Sequence, residues 1–579
     1  MARSRSARPP AAGRLKLPQV RRAATFFLVA FVVYNANLRY LASFDSLASS
    51  IIPFDIWKGK GFSLDDFSDL PRNVGYSVVP SKAGGWVSLY PVVTPLVVTP
   101  LYFPAAFREW FKAADGPIRA GMEKLAASLF VSVSVALLYI LLSGLTTANV
   151  AAWLAVGYAF GTSTWVVSSQ ALWQHGFSGL FVICILLLLR EVEEAGWCRL
   201  ALLGFLAGLL TANRPSNVFV SAAVAWIVLR RTEMRRLAIF LIPAGLVAGL
   251  LFLYNTTHFH SILGGYGDFR ASDGSAPGMS NWGIRGLACL LFSNRGLFLY
   301  SPFLLALSLF PWRKPTRFPG IRLLLFAYLL TLYVNARSAS WAGGDCYGPR
   351  YALDALPILF VALVEPVERL SRGLGRWLFR AGIVVAVAFQ LVGAFCYPGG
   401  GSSAETAVWD YRLASPVLAF KAGPEYPHFH PLFVRRVLSR DRLAPNESRA
   451  EYEWAGDPPA AVEAGSKVVL HVRVTNRSPV TWSSLGGWFN RGAVQLAAVW
   501  HPAESPGKSG IPGAPRWLAF RLDPDGSVTR DITVHAPDIE GRYQLVVGLR
   551  QQEMETFADR GVAPLEAAIQ VVRGTGGRP

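Results

Sequence analysis

The chain has 579 residues, of which 52% are hydrophobic, 13% aromatic and only 16% charged. Soluble domains carry roughly 25% charged residues, so an ordinary soluble enzyme is excluded and much of the apolar surplus must sit in lipid. The 56 Lys+Arg against 37 Asp+Glu give a formal charge of +19, an excess that basic cytoplasmic loops explain with no nucleic acid as partner.

Residues 1–22 hold Arg3, Arg5, Arg8, Arg14, Lys16, Arg21 and Arg22 and no acid, which marks a basic cytoplasmic N-terminus. The apolar run 23–42 follows at once. No small-x-small site closes it, so a retained first helix is expected rather than a cleaved signal peptide. The first outer loop is then 43–84. The block Gly85–Phe107 is apolar but contains Pro91, Pro95, Pro100 and Pro104. Each removes a backbone donor, so an interfacial or re-entrant element is expected there.

Further apolar runs lie near 125–144, 150–168, 176–190, 200–213, 216–229, 237–254, 296–311, 321–336, 351–366 and 381–397. With the first run they make about 11 transmembrane helices and a membrane domain of 23–397. Arg230, Arg231, Arg235 and Arg236 fill one connection; Arg313, Lys314, Arg317 and Arg322 a second; Arg369, Arg372, Arg376 and Arg380 a third. These belong in the cytoplasm, which turns the loops 255–295 and 337–350 outward. The slightly acidic loop Arg190–Arg199 also comes out cytoplasmic, an exception to the basic trend.

A Pro/Gly-rich connector, 398–447, leads to a region of alternating apolar and polar residues, including Lys467–Val474, Gly492–Trp500 and Tyr543–Leu549. That period of two predicts an all-β sandwich over 448–575, extracytoplasmic if the span count is odd. The five cysteines form no CxxC pair, so neither a zinc site nor a disulfide framework is indicated.

Three outer regions carry candidate chemistry. Asp45 lies just beyond the first apolar run, where partial burial suits a carboxylate to general-base work; the plainer alternative is a helix cap. In Ser340–Tyr351, glycines permit close backbone approach, and Arg350 can fork onto phosphate or act as a snorkelling anchor with Asp345 as partner. The third region, 255–303, holds His258, His260, Arg270, Arg285 and Arg295. His258 and His260 would share a face on a strand and could then bind a metal. Trp173-Gln174-His175 and Asn213-Arg214 also fall at outer ends, where Arg214 reads as a capping or snorkelling residue or as a contact for lipid phosphate. No Walker A motif, G-x-S-x-G elbow or H-E-x-x-H helix is present.

The stretches Asn37–Ser46, Ile52-Pro53-Phe54 and Phe62–Phe67 resemble bacterial membrane glycosyltransferases of the GT-C superfamily, in the branch of protein O-mannosyltransferase-like and aminoarabinose transferase-like proteins. Trp341-Ala-Gly-Gly-Asp-Cys-Tyr-Gly-Pro-Arg-Tyr351 is similar to a W-x-G-G-x-x-Y-G-P-R-Y signature of related envelope proteins, where Asn294-Arg295-Gly296-Leu297-Phe298 also has a counterpart. The resemblance implies transfer of a sugar from a polyprenyl-phosphate donor to an envelope glycan, lipid or protein acceptor, outside the bacterial cytoplasmic membrane. It puts Asp45 in the place of the essential acid, with Asp65 as a weaker candidate. Arg350, Arg295 and Arg270 become donor-phosphate ligands, and Trp341, Asp345, Tyr347, His258 and His260 substrate contacts. No resident metal or other cofactor is assigned, and a divalent ion is left open. The tandem acid expected at the end of the first helix is missing, since Phe44 precedes Asp45. A transporter or flippase for lipid-linked glycans and a non-catalytic scaffold are the alternatives. Asn476–Trp482 and Gly541–Leu545 resemble immunoglobulin-like domains appended to such proteins, with Trp482, Trp488, Trp500 and Trp517 as core residues or glycan contacts.

Overall fold

A computed structural model describes residues 16–38, 44–65, 77–106, 116–259, 261–266, 283–337, 341–344, 346–370, 373–397, 408–422, 442–482, 493–503, 510–513, 515–518, 522–551 and 554–573. Contacts divide the chain into a helical unit ending at Pro424 and a β unit beginning at Glu425, apart from a short piece at 116–118.

The helical unit contains α1 (Leu17–Ala36), α2 (Phe44–Trp57), α3 (Val93–Ala106), α4 (Arg119–Ser143), α5 (Ala148–Phe160), α6 (Gln174–Leu189), α7 (Trp197–Asn213), α8 (Val218–Arg231) and α9 (Met234–His258). After these come α10 (Gly283–Phe292), α11 (Leu297–Tyr300), α12 (Ile321–Ala336), α13 (Pro357–Ala362), α14 (Val364–Arg369), α15 (Gly373–Cys396) and α16 (Ser415–Ala422). Among the described residues, α1, α4, α9 and α15 are long and apolar enough to cross a membrane. Gly283–Tyr300 with Pro302–Leu309 makes a further span if its 106° bend is counted within one crossing. The remaining runs expected to span form shorter or broken helices. Pro302 supplies one break, because it donates no hydrogen bond.

Ion pairs gather the basic connections at one end of this unit. Arg231 Nη1 lies 2.6 Å from Glu193 Oε1, and Arg236 donates to the Glu193 carbonyl. Arg190 packs against Gly144. Arg317 pairs with Glu368 at 2.6 Å and donates to the Leu145 carbonyl, while Thr146 donates to the same Glu368. The acidic loop 190–199 therefore meets the basic loop 230–236 at one end, which explains the exception in the charge pattern: its glutamates neutralise neighbouring arginines.

The prolines of 85–107 permit a short helix, which falls among the apolar helices too short to count as a span. Residues 86–88 form a strand and 93–106 a helix with Pro100 and Pro104 inside. Two side-chain hydrogen bonds to its backbone accompany this helix: Thr99 Oγ1 donates to Pro95 O, and Trp57 Nε1 donates to Thr99 O at 2.7 Å. Edge-on contacts of Phe54 with Tyr102 and Trp57 with Phe103, both at 4.9 Å, seat α3 on α2.

In the β unit, β3 (Ala450–Trp454), β5 (Lys467–Asn476) and β9 (Ser527–His535) form one antiparallel sheet. The other runs in the order β4 (Ala461–Glu463), β11 (Leu565–Val572), β10 (Gly541–Gln551), β6 (Val494–Pro502) and β7 (Ile511–Pro512), with β8 (Arg516–Trp517) also on β6. The alternation along β5 buries Val468, Leu470, Val472 and Val474. They join Leu496, Trp500, Leu545 and Ile569 of the other sheet in one core. The hydroxyl of Tyr543 reaches back to the Ile539 carbonyl, the tie that fixes the corner before a strand in many sandwiches.

Two of the four tryptophans considered for glycan contact are core residues instead. Trp482 and Trp500 are both 1% exposed; Trp482 donates to Glu447 O and stacks edge-on against Phe557. Trp488 and the side chain of Trp517 lie outside the described residues. The core also takes in Leu443, upstream of the expected boundary at 448. A fragment 442–573 is expected to fold alone with β-type circular dichroism. One starting at 448 should be less stable by about 1.5–3 kcal/mol from the loss of Leu443, measured by urea unfolding; equal stability would show that Leu443 is dispensable.

Candidate active site

Two motifs far apart in sequence meet at the end of the helical unit remote from the basic loops. Asp45 occupies the first turn of α2, and its Oδ2 lies 2.5 Å from Arg350 Nη1. Their side chains are 16% and 12% exposed, so the pair is shielded but reachable. The Arg350 guanidinium also lies 4.7 Å from the Trp173 ring centroid and 5.2 Å from that of Tyr351. Aromatic faces attract a desolvated cation, so three sides fix the guanidinium. Tyr90, from the segment between β2 (Trp86–Ser88) and α3, lies near enough to Asp45 to feel its charge.

Glycines shape the turn that presents Arg350. Gly343, Gly344 and Gly348 have φ of +82°, +64° and +79°, a region that costs other residues about 1–2 kcal/mol. A Cβ on Gly348 would also lie 2.7 Å from Ser163 Oγ and 2.9 Å from the Tyr300 ring, whereas one on Gly344 meets nothing within 4 Å. Gly348→Ala should therefore lower thermal stability by about 1–3 kcal/mol more than Gly344→Ala. Equal melting temperatures for the two variants would refute this account of the turn.

Several expected site residues support this turn. Arg295 is 1% exposed and donates through Nη1 to the carbonyls of Ala342 and Gly344. Trp341 and Tyr347 are buried; Tyr347 packs edge-on against Tyr300 and Tyr397, with Gly393 leaving room for its ring. These side chains hold the backbone that carries Arg350. Asp65 and His258 organise the outer loop. Asp65 accepts from Ser63 Oγ at 2.7 Å and from the Trp86 amide at 2.6 Å. His258 Nδ1 lies 2.8 Å from Ser81 Oγ, and its carbonyl accepts from Lys82. They anchor the hairpin of β1 (Val78–Pro80) and β2 to the rest of the loop and to α9. Arg270, His260 and Asp345 lie outside the described residues.

A second cluster adjoins the pair. Asp354 Oδ1 lies 2.8 Å from His175 Nδ1, and Asp354 Oδ2 lies 2.8 Å from Arg214 Nε. Arg214 in turn lies 5.4 Å from the centroid of the same Tyr351 ring. Sequence reasoning placed His175 and Arg214 at outer ends and passed over Asp354. Its signal was an acid in an otherwise apolar run, the usual mark of function inside a membrane. Glu123 and Lys124 were missed too. Both are fully buried: Glu123 accepts from the Leu172 amide, next to Trp173, and Lys124 donates to Asn37 and Gln170. They fix the segment that presents the Trp173 ring to Arg350.

Chemically, the arrangement offers a carboxylate for a proton and guanidinium groups for an anion, edged by aromatic rings. Among the described residues, no group of three His, Cys, Asp or Glu side chains is placed to hold a metal ion.

No family model matches the chain, and no curated protein matches it. Among solved structures it is similar to ArnT from Cupriavidus metallidurans bound to undecaprenyl phosphate. That likeness has 12% identity over 70% of this chain and 75% of that one, at a TM-score of 0.40. The apo form of the same protein gives 13% identity over 66% of each chain, also at 0.40. The Pseudomonas fluorescens alkylpurine DNA glycosylase AlkC bound to DNA gives 12% identity over 68% of this chain and 97% of its own, at 0.15. Likenesses this weak carry no weight for fold or activity.

Proposed function

We propose that this chain is an integral membrane glycosyltransferase of the GT-C type. It moves a sugar from a polyprenyl-phosphate donor to an envelope glycan, lipid or protein acceptor on the extracytoplasmic face of a bacterial cytoplasmic membrane. The observation that carries the reading is the Asp45–Arg350 pair, which joins the first-loop acid to the Arg of the glycine-rich turn across 305 positions of sequence. A base and a phosphate ligand are the two groups that sugar transfer needs at one point.

In this reaction Asp45 accepts the proton of the acceptor hydroxyl as that oxygen bonds to the anomeric carbon. The bond from the anomeric carbon to the phosphate oxygen breaks, and the oxygen keeps the electron pair. Arg350 holds the phosphate through charge-assisted hydrogen bonds. The guanidinium has five N–H groups, so Arg350 can hold the phosphate through its remaining donors while Nη1 stays beside Asp45. The β unit is then an immunoglobulin-like extracytoplasmic domain, a reading supported by its two facing sheets and the Tyr543 corner.

The full chain, purified and supplied with labelled polyprenyl-phosphate sugars and envelope acceptors, is expected to give labelled glycoconjugate and free polyprenyl phosphate. Donor translocation across a vesicle without sugar transfer would replace this reading with a flippase. Donor binding with neither outcome would leave a scaffold.

A further inference from the structure

We infer that Arg214 is a second catalytic arginine, whose guanidinium meets the negative charge that appears on the departing phosphate as the sugar is transferred. The inference rests on the donor chemistry proposed above and assigns to Arg214 a role separate from that of Arg350.

The geometry begins with Tyr351. Arg350 and Arg214 lie 5.2 and 5.4 Å from the centroid of that one ring, so two cations border the same aromatic surface. Each has its own carboxylate, Asp45 for Arg350 and Asp354 for Arg214. Asp354 is itself 1% exposed and also faces His175. A carboxylate beside an imidazole accepts from the ring N–H, so His175 and Asp354 form a fixed platform behind the Arg214 guanidinium. The nearest approach to this platform is through Nε of Arg214, short but off-line for a hydrogen bond. Among the described residues, Nη1 and Nη2 of Arg214 have no hydrogen-bond partner.

A structural role accounts poorly for this arrangement. A snorkelling arginine extends its charge to water, yet the Arg214 side chain is only 12% exposed. It follows the last residue of α7, but no side-chain hydrogen bond from it to the final carbonyls is present among the described residues. Burying a carboxylate and a guanidinium together gives little net stability. What the burial does achieve is a guanidinium held still, with its outer edge unused, beside the arginine proposed to bind phosphate.

Charge bookkeeping says what that edge is for. A polyprenyl-phosphate sugar is a phosphodiester with one negative charge. When the anomeric carbon–oxygen bond breaks, the electron pair stays on the phosphate oxygen, and the product monoester approaches two negative charges near neutral pH. The acceptor proton has gone to Asp45. Arg350 meets the charge present from the start, and Arg214 meets the charge that exists only once the bond is breaking. An interaction stronger in the transition state than in the ground state raises kcat. Asp354 and His175 are positioning residues in this scheme.

The test uses the full chain in lipid nanodiscs and two probes: a polyprenyl monophosphate, and its methyl phosphodiester, which carries one charge. Wild type should bind the monoester more tightly than the diester. Arg214→Gln alone strands a buried carboxylate, so the main variant is Arg214→Gln with Asp354→Asn, which removes both charges. It should lose about ten- to hundredfold in monoester affinity with diester affinity within about threefold of wild type, and its kcat should fall with little change in KM. Arg214→Lys should keep most of the monoester preference, and Arg350→Gln should weaken both probes. A double variant that keeps the wild-type ratio of monoester to diester binding overturns the inference. A wild-type protein that binds neither probe overturns the donor reading itself, which is a different result.

Discussion

Asp45→Asn is expected to lower the rate of sugar transfer by about 10²–10⁴-fold, the usual loss when a general base is removed, while the protein stays folded and binds donor. Asparagine keeps the size of the side chain and an oxygen that can accept from Arg350 Nη1, now 2.5 Å from the carboxylate, so the glycine-rich turn should hold its place. What is lost is the capacity to take the acceptor proton. If Asp45 merely caps α2, the same change costs about 1 kcal/mol of helix stability and turnover survives. The comparison therefore needs transfer rate and melting temperature on one preparation. Near-normal transfer by folded Asp45→Asn would remove Asp45 from the mechanism. Asp65 is a poor substitute for it, because both of its oxygens already tie the outer loop together.

Arg350→Ala should act on binding. Hydrogen bonds to charged groups contribute about 1.5–3 kcal/mol, so its removal should weaken the donor by about ten- to hundredfold, read as a rise in KM and in the Kd for a labelled polyprenyl phosphate. Arg350→Lys should recover part of this, since an ammonium keeps the charge and loses the planar fork that lies against Trp173 and Tyr351. Unchanged donor affinity in a folded Arg350→Ala protein would mean that the arginine serves only to hold Asp45. The two variants thus divide the pair into a proton-transfer half and a phosphate half.

Much of this molecule is determined by residue pattern alone. Apolar runs specify helices because a backbone in lipid must satisfy its own hydrogen bonds, and each run expected to span contains helix. Alternation along Lys467–Val474 specifies a strand with one buried face. The signature 341–351 exposes its glycines because a left-handed φ is a local property, legible wherever glycine recurs in a turn. Asp45 and Arg350 could each be singled out by chemistry and position.

Their meeting could not, since pairing across 305 residues depends on how the helices pack. Packing likewise decided that Arg295, Trp341 and Tyr347 hold the turn, because burial depends on neighbours distant in sequence. It seated the Pro-rich helix 93–106 on α2, where Trp57 Nε1 donates to Thr99 O, a contact that no local rule supplies. It also brought Asp354, His175 and Arg214 from three separate segments to one point. Local sequence carries the periodicity and backbone preferences of each segment, whereas the partners of a charge buried among helices are set by the tertiary structure, where an unpaired charge is too costly to keep.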